Sequence, residues 1–92
     1  MIRLIRETRH KAKKRYRCDA CEYLFSEGLG ALRGNKFTFS EWRAIINAYE
    51  DQCIHPGETY VRQFYIADGE PYTFRAILEI DKICLKYHYY QD

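Results

Sequence analysis

Asp68-Gly69 stands between two runs rich in β-branched and aromatic residues, Thr59 to Ala67 and Tyr72 to Ile77. A two-residue Asp-Gly between such runs is a strong β-hairpin signal, because the tight turn it forms matches the twist of the strands it joins. With Ala67 paired to Glu70, Ile66 opposes Pro71 at a non-hydrogen-bonded site, where the missing proline amide costs little. The same register sets Arg62 opposite Arg75, again at a non-hydrogen-bonded pair, where side chains approach closely. Like charges so placed repel unless a carboxylate or a phosphate lies between them. Glu58, Glu79 or Asp81 could fill that role, and an external anion fits it equally well.

The second clear element is a helix. Thr38-Phe39-Ser40-Glu41 is a capping box, in which Thr38 accepts from the Glu41 amide while the Glu41 carboxylate reaches back. Phe37 and Trp42 occupy the positions of a hydrophobic staple across this cap. The pattern predicts a helix from about Phe39 to Gln52, with Trp42, Ile45, Ile46 and Tyr49 as its core stripe and Trp42 buried against the hairpin. Elsewhere the signals are weaker. Residues 2–6 alternate and read as a short strand, and the run 9–17 reads as an extended segment delivering Cys18 into a turn. Between Asp19 and Leu32, Cys21, Leu24, Phe25, Leu29 and Leu32 have helical spacing, but Gly28 and Gly30 weaken a continuous helix. Arg33-Gly34-Asn35-Lys36 reads as a loop. The segment from Ile83 to Tyr90 alternates as a strand would, and a helix over Ala76–Lys86 is the competing reading.

These elements predict a single small α+β domain over residues 1–92 with a basic segment at 1–17. Its expected architecture is an antiparallel sheet of three or four strands, with the hairpin at about 58–78 and one main packed helix at about 39–52. Nine Tyr, five Phe and one Trp are more than a disordered chain would carry. No stretch approaches the roughly twenty apolar residues of a membrane span, and residues 1–6 lack the apolar core of a signal peptide. A cytoplasmic setting is expected, in which Cys18, Cys21, Cys53 and Cys84 are thiols or metal ligands rather than disulfides.

Charge is unevenly distributed. Residues 1–17 carry eight Lys or Arg against one Glu, a net +7, whereas residues 18–92 carry seven cations against twelve anions, a net −5. The run Arg9, Lys11, Lys13, Lys14, Arg15 and Arg17, broken by Tyr16, makes nucleic-acid phosphate the first partner to consider.

Tyr16-Arg17-Cys18-Asp19-Ala20-Cys21 has the form of the first knuckle of a treble-clef or zinc-ribbon site. Two further stretches are Ile54-His55-Pro56-Gly57-Glu58-Thr59-Tyr60-Val61-Arg62 and Asp68-Gly69-Glu70-Pro71-Tyr72-Thr73-Phe74-Arg75. Together they resemble small phage-encoded zinc-finger-like proteins with the pattern R-C-x-x-C, I-x-P-G-E-x-Y-x-R, D-G-x-Y-T-x-R and a closing H-x-x-C. The resemblance covers residues 15–21 and 54–80, and it implies nucleic-acid binding or, among phage accessory proteins, anti-CRISPR activity. The chain departs from the pattern where it matters for metal. Ile77 and Ile80 stand where the last His and Cys would be, and an insertion holding the capped helix separates the knuckle from Ile54. Zinc would then need Cys18 and Cys21 with Cys53, Cys84, His55 or His88. The alternative is a scaffold that holds no cofactor and relies on an aromatic core.

Catalysis is the easiest class to set aside: no paired-carboxylate motif, nucleophile elbow, H-E-x-x-H or phosphate-cradling Gly-rich loop is present, and no small-molecule substrate is expected. Two binding functions remain, the first narrowly preferred and the second its alternative. One is an inhibitor of a host CRISPR–Cas guide-RNA complex. It would contact Cas protein and guide RNA, with Glu27, Glu41, Glu50, Asp51, Glu58, Asp68 and Glu70 mimicking target phosphate. The other is a direct DNA- or RNA-binding module. In both, Arg9, Lys11, Lys13, Lys14, Arg15, Arg17, Arg62 and Arg75 are the expected contacts.

Overall fold

The computed structural model describes residues 2–90, with side chains from residue 6 onward. Its centre is a three-stranded antiparallel sheet in the order β1 (Ile2–Lys11), β4 (Thr59–Ala67), β5 (Glu70–Ile77). A small ribbon pairs β2 (Tyr16–Arg17) with β3 (Cys53–Ile54). Three helices complete the α+β fold: α1 (Asp19–Leu24), α2 (Phe39–Tyr49) and α3 (Leu78–Lys86), with a short 3-10 segment at Leu29–Gly34.

The hairpin forms in the expected register, with Ala67 opposite Glu70, Ile66 opposite Pro71 and Arg62 opposite Arg75. Asp68 and Gly69 both take positive φ, 52° and 83°, the conformation that a two-residue turn with the strands' own twist demands. Upstream, His55-Pro56-Gly57-Glu58 closes a turn through the Glu58 amide and the His55 carbonyl at 3.1 Å. Gly57, at φ +89°, occupies the position where only glycine is unstrained. The basic segment departs most from expectation. Its first part is a full-length edge strand rather than a short strand followed by an arm, and Arg9, His10 and Lys11 pair with Val61, Tyr60 and Thr59. The ladder continues one step further, since Ala12 donates to the Glu58 carbonyl and accepts from the Gly57 amide, each at 2.8 Å. Period-two alternation of apolar residues is too weak in Arg-rich sequence to reveal such a strand; its partner β4 defines it.

β5 lies at the other edge, and its outer side is covered. In this register Arg75 sits at a non-hydrogen-bonded pair, so the amides of Arg75 and Ile77 point away from β4. Asp19 Oδ2 accepts the Arg75 amide at 2.9 Å, and Cys18 Sγ accepts the Ile77 amide at 3.3 Å. The turn that starts α1 therefore docks along the sheet edge.

The helices correct three expectations. The capping box is present, with Thr38 Oγ1 accepting the Glu41 amide at 3.2 Å and Glu41 Oε1 accepting the Thr38 amide at 2.8 Å. The staple rings of Phe37 and Trp42 meet edge to face at 5.1 Å. However, α2 ends at Tyr49 rather than Gln52, and its buried residues are Ile45 and Ala48. Ile46 is 52 % exposed, Tyr49 39 % exposed, and Trp42 only partly buried. The reason is that α2 packs on α3, not on the hairpin. Layering a helix on a helix needs only a narrow stripe, and small Ser40 and Ala44 of α2 lie beside Glu79, Lys82 and Ile83 of α3. The sheet is instead covered by α1 and α3. The C-terminal segment is this helix, not the strand expected for Ile83–Tyr90: Ile80, Ile83 and Cys84 recur at helical spacing and are buried. The ambiguous stretch 19–32 resolves into α1 and the 3-10 segment, which takes in Arg33 and Gly34 of the expected loop.

The corrected stripe makes a direct prediction. Ile45→Ala should cost about 2–4 kcal/mol in chemical denaturation, and Ile46→Ala less than about 0.5 kcal/mol. Acid should also probe the cap. Glu41 is held down to about 2, first by the Thr38 amide and then by the Tyr87 hydroxyl, which donates to it at 2.7 Å. Its folded pKa lies below the ordinary 4.5, so its contribution is complete above about pH 4.5 and fades as pH falls towards 2. Glu41→Gln should therefore flatten the loss of Tm across that window.

Candidate nucleic-acid interface

Strand alternation sorts the sheet's side chains onto two faces. The helix side carries Glu7, Arg9, Val61, Gln63, Tyr65, Phe74 and Ala76, and it is satisfied from within. The Gln63 amide donates to Glu7 at 2.5 Å, and the Tyr65 hydroxyl donates to Gln63 at 2.6 Å. Asp81 of α3 is buried against this side, its carboxyl raised by burial, and it accepts the Tyr90 hydroxyl at 2.6 Å.

The opposite face carries Arg6, Thr8 and His10 from β1, Tyr60, Arg62, Phe64 and Ile66 from β4, and Pro71, Thr73 and Arg75 from β5. It contains no carboxylate at these positions. One end is covered by Tyr16 of the β2–β3 ribbon, whose ring lies 5.5 Å from that of Tyr60, while Tyr60 lies 5.9 Å from His10. The other end, with Phe64 and Ile66, faces solvent. The Arg75 guanidinium sits 4.6 Å from the centroid of the Tyr16 ring and the Lys14 ammonium 5.4 Å from it. Cation–π contact of this kind holds a cation without neutralising it.

None of the three expected carboxylates neutralises Arg62 and Arg75. Glu58 accepts the His55 amide at 2.6 Å, Asp81 lies on the helix side, and Glu79 lines a surface cavity with Arg43 and Asp51. Among the described residues neither arginine joins an ion pair, and Arg75 Nε is buried without a hydrogen-bond partner. With Nε shielded from solvent, an anion at this pair would meet the terminal nitrogens of the two guanidiniums.

The other expected contacts do not form one patch with this pair. Arg9 and Lys11 project on the side of β1 away from His10, and Arg9 lies near Asp81. Lys13, Lys14 and Arg15 occupy the exposed turn between β1 and β2, with Arg15 near Asp51. Arg17 is engaged in an ion pair with Glu22. Sequence reasoning missed Phe64 and Arg6, which the register places directly opposite each other beside Arg62. Counting in twos from Arg62 finds Phe64; nothing in the sequence finds Arg6, because the partner of β1 is not readable.

The four cysteine candidates lie close enough to act on one another electrostatically, Cys21 feeling Cys18, Cys84 and Cys53. Cys18, Cys21 and Cys84 are buried, and Cys53 is partly exposed. Cys21 donates to Cys18, which together with the Ile77 amide pulls the Cys18 thiol down, while the Cys21 thiol is pushed up. Burial raises Cys84 to about 12, and its thiol points to the Ala20 carbonyl at 3.7 Å. The Cys53 thiol is taken by the Asp51 carbonyl at 3.1 Å, and His55 by the Asp51 carboxylate at 2.6 Å. Among the described residues no three His, Cys, Asp or Glu side chains converge as a metal site. Purified protein is expected to keep its Tm in excess chelator, as checked by circular dichroism.

Comparison with protein-family models, curated proteins and solved structures finds no match for this chain. Among the described residues no helix is long and apolar enough to cross a membrane.

Proposed function

We propose that the protein is a non-catalytic binding module that engages nucleic-acid phosphate. Arg62 and Arg75 are the central anion site, and the turn bearing Lys13, Lys14 and Arg15 supplies longer-range attraction. The observation that carries this reading is the unneutralised cross-strand arginine pair with its buried, unpartnered Nε. Natural sequences avoid like charges at such pairs unless something offsets the repulsion. A phosphodiester accepts from both guanidiniums, and strand pairing holds their backbones in register before it binds.

A second reading, inhibition of a CRISPR–Cas guide-RNA complex, is favoured by the separation of charge. Residues 19–52, which hold α1 and α2, carry six anions against three cations, whereas β1 and the turn after it carry seven of the fifteen cations and one anion. A dipolar surface of this kind suits docking on a ribonucleoprotein, with carboxylates towards its basic channel and cations towards its RNA.

Arg62→Thr should move two quantities in opposite directions. It removes cross-strand repulsion, and so raises stability by about 0.2–1 kcal/mol, yet it weakens binding to nucleic acid. Neutralising Lys13, Lys14 and Arg15 should leave Tm unchanged and make the salt dependence of affinity shallower, by nearly one slope unit for each phosphate the variant no longer neutralises. Fluorescence anisotropy across a salt series measures both. If the protein binds bare nucleic acid weakly but blocks duplex target from a guide-RNA complex, the inhibitor reading holds; unchanged affinity in every variant defeats both.

A further inference from the structure

We infer that the open sheet face reads single-stranded nucleic acid, with the Phe64 ring as a base-stacking platform beside the arginine pair. This rests on the phosphate-contact reading above and names the form of nucleic acid that the face accepts.

Phe64 lies in the middle of the central strand, paired to Arg6 on one side and Thr73 on the other. Its ring is 36 % exposed although the strand is hydrogen-bonded along both edges, so the ring stands on a rigid floor. The neighbouring row is Thr8, Arg62 and Arg75. An aromatic ring is thus bordered by three arginines, Arg6, Arg62 and Arg75, on a face whose described positions hold no carboxylate. The acidic residues of the sheet, Glu7 and Glu70, lie on the other face by strand alternation.

That charge pattern commits the face to a polyanion, and the exposed ring selects among polyanions. In a duplex the faces of the bases are buried in the stack, and only groove edges and phosphates are presented. A ring projecting from the middle of a sheet face cannot enter that stack. A single strand offers unstacked bases next to each phosphate, so one nucleotide can lay its base on Phe64 while its phosphate bridges Arg62 and Arg75. Ile66, 37 % exposed and two residues along the same strand, extends the apolar floor for the adjoining base.

The test uses the full chain with fluorescently labelled thymidine and uridine homopolymers and a mixed-sequence duplex of equal length, at one low salt concentration. The wild type should bind the single strands more tightly than the duplex. Phe64→Ala should weaken single-strand binding about tenfold or more and leave duplex binding essentially unchanged, with a modest fall in Tm from the part of the ring that is buried. Phe64→Leu, which keeps apolar bulk without a π face, should lose single-strand binding at near wild-type Tm. Phe64→Trp should retain binding, and its emission should be quenched by single strands. Duplex binding as tight as single-strand binding, with Phe64→Ala neutral or weakening both equally, would overturn this inference and leave the phosphate reading standing. Absence of binding to every nucleic acid by the wild type would overturn both.

Discussion

The outer edge of β5 is where this fold is held together. A three-stranded sheet has two exposed edges, and unpaired strand amides there must be satisfied or left to solvent. The Cys18-Asp19 turn satisfies two of them, through the Asp19 carboxylate and the Cys18 sulfur. Those bonds fix where α1 starts and lay Ala20, Cys21 and Leu24 into the core against α3. The Cys-x-x-Cys turn acts here as a hydrogen-bonding clip along a sheet edge. The apolar residues Ile77 and Ile80 complete the packing around it.

The clip also bears on the candidate interface. Arg75 is held by its backbone amide on Asp19 and by its side chain over Tyr16, so the residue at the centre of the proposed anion site is anchored from two directions. Arg62 faces it from the central strand, whose backbone is bonded on both sides. The repulsion between the two cations is therefore stored in a backbone that cannot relax by sliding, since a register change would turn every buried side chain of β4 to the wrong face.

Alternation along β1 explains why a run of cations is not a single patch. Arg6 and His10 fall on the open face with Arg62, while Arg9 and Lys11 fall on the helix side, Arg9 near buried Asp81. A segment that reads in sequence as one block of positive charge is divided by the pleat into two surfaces and a turn. The open face gains the aromatic and aliphatic residues of β4, and the helix side gains the carboxylates. This division gives the open face chemistry suited to a polyanion with exposed bases.

Local chemistry alone determined several features. The Asp68-Gly69 turn, the hairpin register with its arginine pair, and the capping box with its staple all rest on residues adjacent in sequence or fixed by a two-residue loop. Tertiary structure decided the rest. Helical periodicity gave Trp42, Ile45, Ile46 and Tyr49 one apolar stripe, but which part is buried depends on the surrounding elements, and only Ile45 and Ala48 of α2 are buried. Residues 83–90 carry a pattern compatible with strand or helix, and burial of Ile80, Ile83 and Cys84 against α1 selects the helix. The strand character of the basic segment and the nearness of Arg6 to Phe64 come from pairing across more than fifty residues. Such pairing is non-local: a strand whose own sequence is mostly charged draws its structure from hydrogen bonds supplied by its neighbour.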